Sequence, residues 1–176
     1  MIRMKNIFLL VFLGSVLMMP AQKTATKKFS IKGRVTQSSS FCGGARPSEE
    51  MLNELNKAKP YAGKVFYVKK GKQNEAKQKV IMTLVCDSAG NFSGTLPPGN
   101  YILVLAEQTK ALDYKALSKM PNIVYDKNCM QQWWLKPYYQ FEITDKNIEG
   151  LSFHFQHRCF VPLDIPCLSY VGPMPP

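Results

Sequence analysis

Between residues 28 and 106, apolar and polar positions alternate in short runs broken by glycine, proline and asparagine. This is the pattern of half-buried β-strands. The first run, 28–35, places Phe29 and Ile31 on one face. Gly33 then shifts the alternation before Val35, which predicts a bulge or a close backbone approach. Further strands are predicted at 64–69, 79–86 and 91–96. The run 101–106, YILVLA, is apolar on both faces and predicts a central strand covered from two sides. A last pair, 138–143 and 151–155, is joined by the turn 144–150. One short surface helix is predicted over 48–56, with Ser48 as its cap and Met51, Leu52 and Leu55 at helical spacing. Seven strands separated by turn residues point to an all-β sandwich rather than to alternating helices and strands.

Three stretches depart from that pattern. Residues 108–137 show no sustained period and carry the pair Trp133 and Trp134, so they are read as a long insertion before the last two strands, tied down by aromatics and a disulfide. Residues 158–176 hold five of the twelve prolines and predict an extended tail. At the other end, Arg3 and Lys5 precede an apolar run over 7–19 and the small pair Pro20-Ala21. That order describes a secretory signal peptide, 1–21, cleaved after Ala21. The run is shorter than a membrane-spanning helix requires, so no transmembrane segment is expected after cleavage. A linker, 22–27, then leads into the sandwich domain, 28–157.

Export changes how the cysteines are read. Cys42, Cys86, Cys129, Cys159 and Cys167 contain no CxxC pair, which disfavours zinc, while an oxidising compartment favours bridges. Cys86 falls in an apolar strand and is expected to remain a buried thiol. Cys42, Cys129, Cys159 and Cys167 are the disulfide candidates. The loop cysteines Cys42 and Cys129 are each expected to take a tail cysteine, and the spacing does not choose between the two ways of doing so.

The chain carries a formal net charge of +11, two of its positive charges lying in the leader. Basic exported proteins meet anionic polysaccharide, lipid head groups or acidic proteins. Residues 57–79 hold eight lysines against one acid, Glu75. They form either a solvated hairpin whose charged edges block sheet-to-sheet pairing or a patch for an anionic partner, with Lys69, Lys70 and Lys72 as binding candidates. Nucleic acid is not an expected partner, because no recognition motif accompanies the export signal.

Three segments in succession carry a resemblance: GRV at 33–35, AGKVFYVKKG at 62–71 and VCDSAGNFSGTLPPGNYIL at 85–103. With Asp87, Gly90, Phe92, Leu96, Pro98, Gly99 and Tyr101 in place, the chain resembles the carboxypeptidase regulatory-like, or transthyretin-like, β-sandwich domain. Cys86 stands where that family usually has threonine. The resemblance implies a seven-stranded, Greek-key-type, prealbumin-like sandwich and no peptidase activity. On physical grounds Gly90 suits a tight turn, Phe92 an inward position, Pro98-Gly99 a type II turn, and the Tyr101 hydroxyl can anchor the corner.

Catalytic candidates are few. His154 and His157, the two histidines, stand three apart on a strand and face opposite sides, so they do not share a metal. No G-x-S-x-G, H-E-x-x-H or phosphate-loop pattern occurs. No catalytic residue, metal or cofactor is expected. Trp133, Trp134, Tyr138 and Tyr139 form the densest aromatic cluster; they either stack on a ligand or cover one end of the sandwich. The sequence thus reads as a secreted or periplasmic, non-enzymatic module for binding, adhesion or support at a cell envelope. Its candidate ligands are a glycan or an anionic polymer, with Trp133, Trp134 and Tyr138 as contacts. The rival class is a hydrolase-type enzyme built on the sandwich loops.

Overall fold

The computed structural model describes residues 26–173. The expected leader lies outside the described residues, as do residues 22–25 and 174–176. In chain order the elements are β1 Phe29–Ser39, α1 Glu49–Asn56, β2 Lys59–Pro60, β3 Val65–Lys70, β4 Val80–Val85, β5 Asn91–Leu96 and β6 Gly99–Val104. A 3-10 turn, Ala106–Gln108, leads to α2 Tyr114–Leu117, β7 Ile123–Tyr125, α3 Lys127–Leu135, β8 Tyr139–Ile143, β9 Ile148–His157 and β10 Leu168–Tyr170. Ten strands thus stand among the described residues where seven were expected. The three additional ones, β2, β7 and β10, are two or three residues long, too short for alternation to mark.

Two sheets share the main core. In the first, β1 pairs antiparallel with β5 and β2 along one side and parallel with β9 along the other. The second is antiparallel throughout, in the order β4-β3-β6-β8. Phe66, Val68, Tyr101 and Leu103 of the second sheet share a buried cluster with Ile31, Val35, Phe92 and Phe155 of the first. The Phe66 and Phe92 rings meet across it with centroids 5.7 Å apart. All four residues from Tyr101 to Val104 are buried, as a centrally placed, doubly covered strand requires.

The punctuation residues act locally as their chemistry predicts. Ser48 Oγ accepts from the Met51 N–H at 3.2 Å and caps α1. Asp87 Oδ1 accepts from the N–H groups of Ala89 and Asn91, at 2.9 and 2.8 Å, and shapes the turn into β5. Gly90 in that turn has φ +80, and a Cβ there would collide with the Val35 carbonyl oxygen. At Gly33 a Cβ would stand 2.5 Å from the Phe92 ring, and the β1–β9 register shifts between Ile31 and Gly33. Tyr101 donates its hydroxyl to the Pro97 carbonyl at 2.8 Å. The turn before β6 is not type II, however: Gly99 has φ +153 and is already the first residue of the strand.

The insertion differs most from expectation. It is tied down by Trp133 and by a disulfide, as expected, but it is not irregular: it folds with the tail into a small module with its own core. Leu117 and Met130 from the insertion pack with Ile165, Cys167 and Leu168 from the tail, and β7 pairs antiparallel with β10. Asp113 and Asp126 cap α2 and α3 by accepting from the N–H groups of Ala116 and Cys129, at 2.9 and 2.6 Å. Elements of three, four and nine residues are too brief for a sustained period to appear. The aspartate caps, with Met130, Trp133 and Trp134 at helical spacing after Asp126, were the available signal.

Two disulfides hold this module and the first loop: Cys42–Cys159 and Cys129–Cys167. Each takes one cysteine of the tail. Cys86 is a buried free thiol whose pKa burial pushes up. Among the described residues, no helix is long and apolar enough to cross a membrane.

Candidate binding cleft

The two cores meet at Trp133, which packs against both. It sits on α3, so its indole and that of Trp134 point in directions set by the helical turn, not to opposite sides as in an extended segment. Trp134 Nε1 donates to the Lys110 carbonyl at 2.6 Å. Both indoles are half-buried. Beside Trp133 opens a cleft of about 360 Å³. Leu105, Trp133, Tyr138 and Phe155 give it apolar walls, and Gln108, Gln156 and Asp164 supply polar edges.

The cleft's polar wall is assembled from distant parts of the chain. Asp164, from the tail, receives Lys64 Nζ at 2.5 Å and the Tyr61 hydroxyl at 3.4 Å. The Lys64 ammonium also lies over the Phe155 ring, 4.2 Å from its centroid, and 5.2 Å from that of Tyr61. Burial first, and then the Asp164 charge, push the Tyr61 phenol up to about 12. The same two causes bring Tyr138 up to about 12. Both phenols therefore remain neutral hydroxyls across physiological pH. His157 places Nδ1 3.9 Å from Asp164, while its Nε2 lies 2.7 Å from Gln37 Oε1. His154, also among the residues lining the cleft, lies between the hydroxyls of Thr36 and Ser38, each 3.0 Å away. Arg158 is committed to the tail, donating to the carbonyls of Ile165, Pro166 and Leu168.

A second buried lysine lies behind the cleft. Lys69 is fully buried, which corrects its reading as a surface binding residue. Its Nζ donates to Asn74 Oδ1 at 2.7 Å and faces the carbonyls of Glu75 and Gln108, each at 3.4 Å. Asn74 Nδ2 donates to the carbonyls of Gln108 and Trp134, at 3.0 and 2.8 Å, and its N–H donates to the Leu135 carbonyl at 3.2 Å. Gln108 Nε2 donates to the carbonyls of Trp133 and Lys136, both at 2.8 Å. These amides satisfy the last carbonyls of α3, and the ammonium behind them offsets that helix end's partial negative charge. Lys69 thus makes an internal connection through Asn74 and two carbonyls, with no acid beside it among the described residues. Alternation places a β3 side chain on one face or the other but does not reveal what covers that face, so spacing alone could not mark Lys69 as internal.

Lys70 and Lys72 remain exposed at the β3–β4 loop, as do Lys77 and Lys79. Lys57 and Lys59 lie close to Glu54, at 3.9 and 2.9 Å. Of the nominated residues, Trp133 and Tyr138 come together in the cleft, Trp134 anchors the insertion, and Lys70 and Lys72 belong to a separate basic tip. A larger depression, about 730 Å³, is lined by residues of β1, β5 and β9 together with Val85 and Asp87 at the end of β4. Among its charged residues Lys32 and Glu149 already pair at 3.3 Å, and its one aromatic lining residue is Phe92, which belongs to the core. Among the described residues, no three His, Cys, Asp or Glu side chains gather to hold a metal.

No protein-family profile matches the chain, and no curated protein matches it. Solved structures with partial likeness include the TIE protein of Bacillus anthracis, at 15% identity and a TM-score of 0.34, which covers 74% of this chain and 17% of its own. A DUF3823 family protein from Parabacteroides merdae aligns at 12% identity and a TM-score of 0.29, over 76% of this chain and 46% of its own. The minor pilin GBS52 of Streptococcus agalactiae aligns at 12% identity and 0.32, over 80% and 48%. This chain thus spans less than half the length of each. Likeness of this size carries no argument about activity or partners. The chain is a predominantly β, multi-sheet domain with two disulfides.

Proposed function

We propose that the chain is an exported, non-enzymatic binding module of the cell envelope, and that its cleft takes a saccharide. The supporting observation is the junction of Trp133 and Tyr138 with Gln156 and Asp164 around about 360 Å³. Flat aromatic faces stack on sugar rings, and neutral hydroxyl and amide groups at the rim match sugar hydroxyls. Export is supported by the leader-like order of residues 1–21 and by the two disulfides, which persist in an oxidising compartment. The carboxypeptidase regulatory-like assignment, for the sandwich 28–157, is supported by the Asp87 turn, the inward Phe92 and the Tyr101–Pro97 corner bond.

The test is a titration of the disulfide-bonded chain with a panel of neutral and acidic envelope oligosaccharides. Tyr138→Phe and Gln156→Ala keep the apolar walls and remove polar contacts, and each should weaken binding about tenfold, the equivalent of roughly one hydrogen bond. Reversal of Lys70 and Lys72 should leave the affinity unchanged. Binding that ignores both cleft substitutions and disappears on charge reversal would instead favour the basic tip and an anionic polymer.

A further inference from the structure

The charges around the cleft do not balance. Its lining includes two cations, Lys136 and Arg158, and one acid, Asp164. That acid is already engaged: its Oδ2 receives the Lys64 ammonium at 2.5 Å and the Tyr61 hydroxyl at 3.4 Å. The Lys64 charge offsets it, and Oδ1 is left to accept a hydroxyl. Glu107 also raises the Tyr61 phenol, but it is not among the residues lining the cleft. Among the described residues, neither Lys136 nor Arg158 has an acid within ion-pair distance.

The two cations differ in what they can still offer. Arg158 donates from both terminal nitrogens to the carbonyls of Ile165, Pro166 and Leu168, so it holds the tail and contributes chiefly its positive field. Lys136 is exposed, while its main chain is pinned on both sides. Its N–H donates to the Gln132 carbonyl at 3.0 Å, and its own carbonyl accepts from Gln108 Nε2 at 2.8 Å. Beyond Pro137, the Tyr138 N–H donates to the Leu103 carbonyl at 2.9 Å. An unpaired ammonium on a fixed backbone thus stands one proline away from the aromatic wall. A cation here also suits the end of α3; that role registers in stability and not in ligand choice.

We propose that the cleft selects an acidic saccharide, a uronate, over its neutral counterpart, and that the Lys136 ammonium meets the carboxylate. This rests on the reading of the cleft as a saccharide site. A hexuronate differs from its hexose by a carboxylate in place of a hydroxymethyl group, so both present the same ring to Trp133 and Tyr138. What separates them is a charge-assisted hydrogen bond to Lys136, reinforced by the field of Arg158. Salt screens such a contact at an exposed lysine, so the preference is about tenfold at low ionic strength.

Calorimetric titration of the disulfide-bonded chain with oligosaccharide pairs of equal linkage and length decides the matter. The pairs are glucose with glucuronate, galactose with galacturonate, and mannose with mannuronate. In at least one pair the uronate should bind about tenfold tighter or more, and added salt should narrow the gap. Lys136→Gln should bring that uronate down to the affinity of the neutral sugar, and Lys136→Arg should keep the preference, with melting temperatures showing both variants folded. Exchange of Lys70 and Lys72 for glutamine should leave the preference intact. A uronate bound no tighter than its neutral partner in every pair overturns the selectivity and leaves the saccharide site standing. A preference that survives Lys136→Gln overturns the role of Lys136. Absence of binding by every sugar overturns both this inference and the saccharide reading.

Discussion

Lys64 and Lys69 stand five residues apart, at the entrance and near the end of one strand, yet the protein accommodates their charges in opposite ways. Lys64 keeps a formal partner: Asp164 receives its ammonium at 2.5 Å, with side-chain exposures of 12% and 16%. Lys69 is more deeply buried and has no carboxylate, only Asn74 and two carbonyls. An ion pair tolerates burial because each charge offsets the other's lost hydration. An unpaired ammonium must be held by dipoles, and burial lowers its pKa. The first arrangement ties the tail to the sandwich. The second ties the β3–β4 loop to the end of α3. Both sides of the cleft therefore rest on lysines that a charge count assigns to solvent.

The largest expected effect breaks the first arrangement. Asp164→Ala leaves the Lys64 ammonium without its acid and should cost about 3 kcal/mol, near the lower end for an uncompensated buried charge. Lys64→Met should cost clearly less, since it removes the charge that needs compensation. Urea titration of the two variants measures the difference. Equal losses would mean that the pair behaves as an exposed one.

Asn74→Ala comes next. It removes the acceptor of Lys69 and two donors to main-chain carbonyls, and should cost about 2 kcal/mol. Lys69→Met should fall within about 1 kcal/mol of the parent, because relief of the desolvation cost opposes the loss of the Asn74 bond. A loss of several kcal/mol from Lys69→Met would show that the ammonium is a net stabiliser and remove the contrast with Lys64.

The smallest effects are those of pH, and they have opposite signs. The folded pKa of Lys69 lies below its unfolded value, so the unfolded chain binds more protons in the window just below the ordinary lysine range. Stability from this group rises with pH there. Tyr61 and Tyr138 are raised to about 12, so above about pH 10 the unfolded chain loses phenolic protons that the folded chain keeps. Their contribution is present below pH 10 and is lost as pH climbs toward 12. Thermal melts across this range should show the fall at high pH, and Tyr138→Phe should flatten it.

The same contrast explains what could be read from the sequence. Alternation and turn chemistry marked β1, β3, β4, β5, β6, β8 and β9, because each depends on neighbours a few residues away. Ser48, Asp87, Gly90 and Tyr101 act on groups within four residues, apart from Gly90's approach to Val35. The cleft depends on pairings such as Lys64 with Asp164 and Asn74 with the end of α3, separated by 100 and 60 residues. A periodicity read over a dozen residues does not carry that information. Trp133 and Tyr138 were identifiable as an aromatic cluster, but their placement between two cores required the insertion and tail to be recognised as one module.

Lysine acetylation of the native, disulfide-bonded chain, followed by peptide mass spectrometry, tests this division of the basic segment most directly. Lys70, Lys72, Lys77 and Lys79 should be modified quickly, while Lys64 and Lys69 should stay protected until denaturant opens the fold, with Lys69 the slower of the two. Modification of Lys69 at the rate of Lys70 would contradict the buried connection behind the cleft.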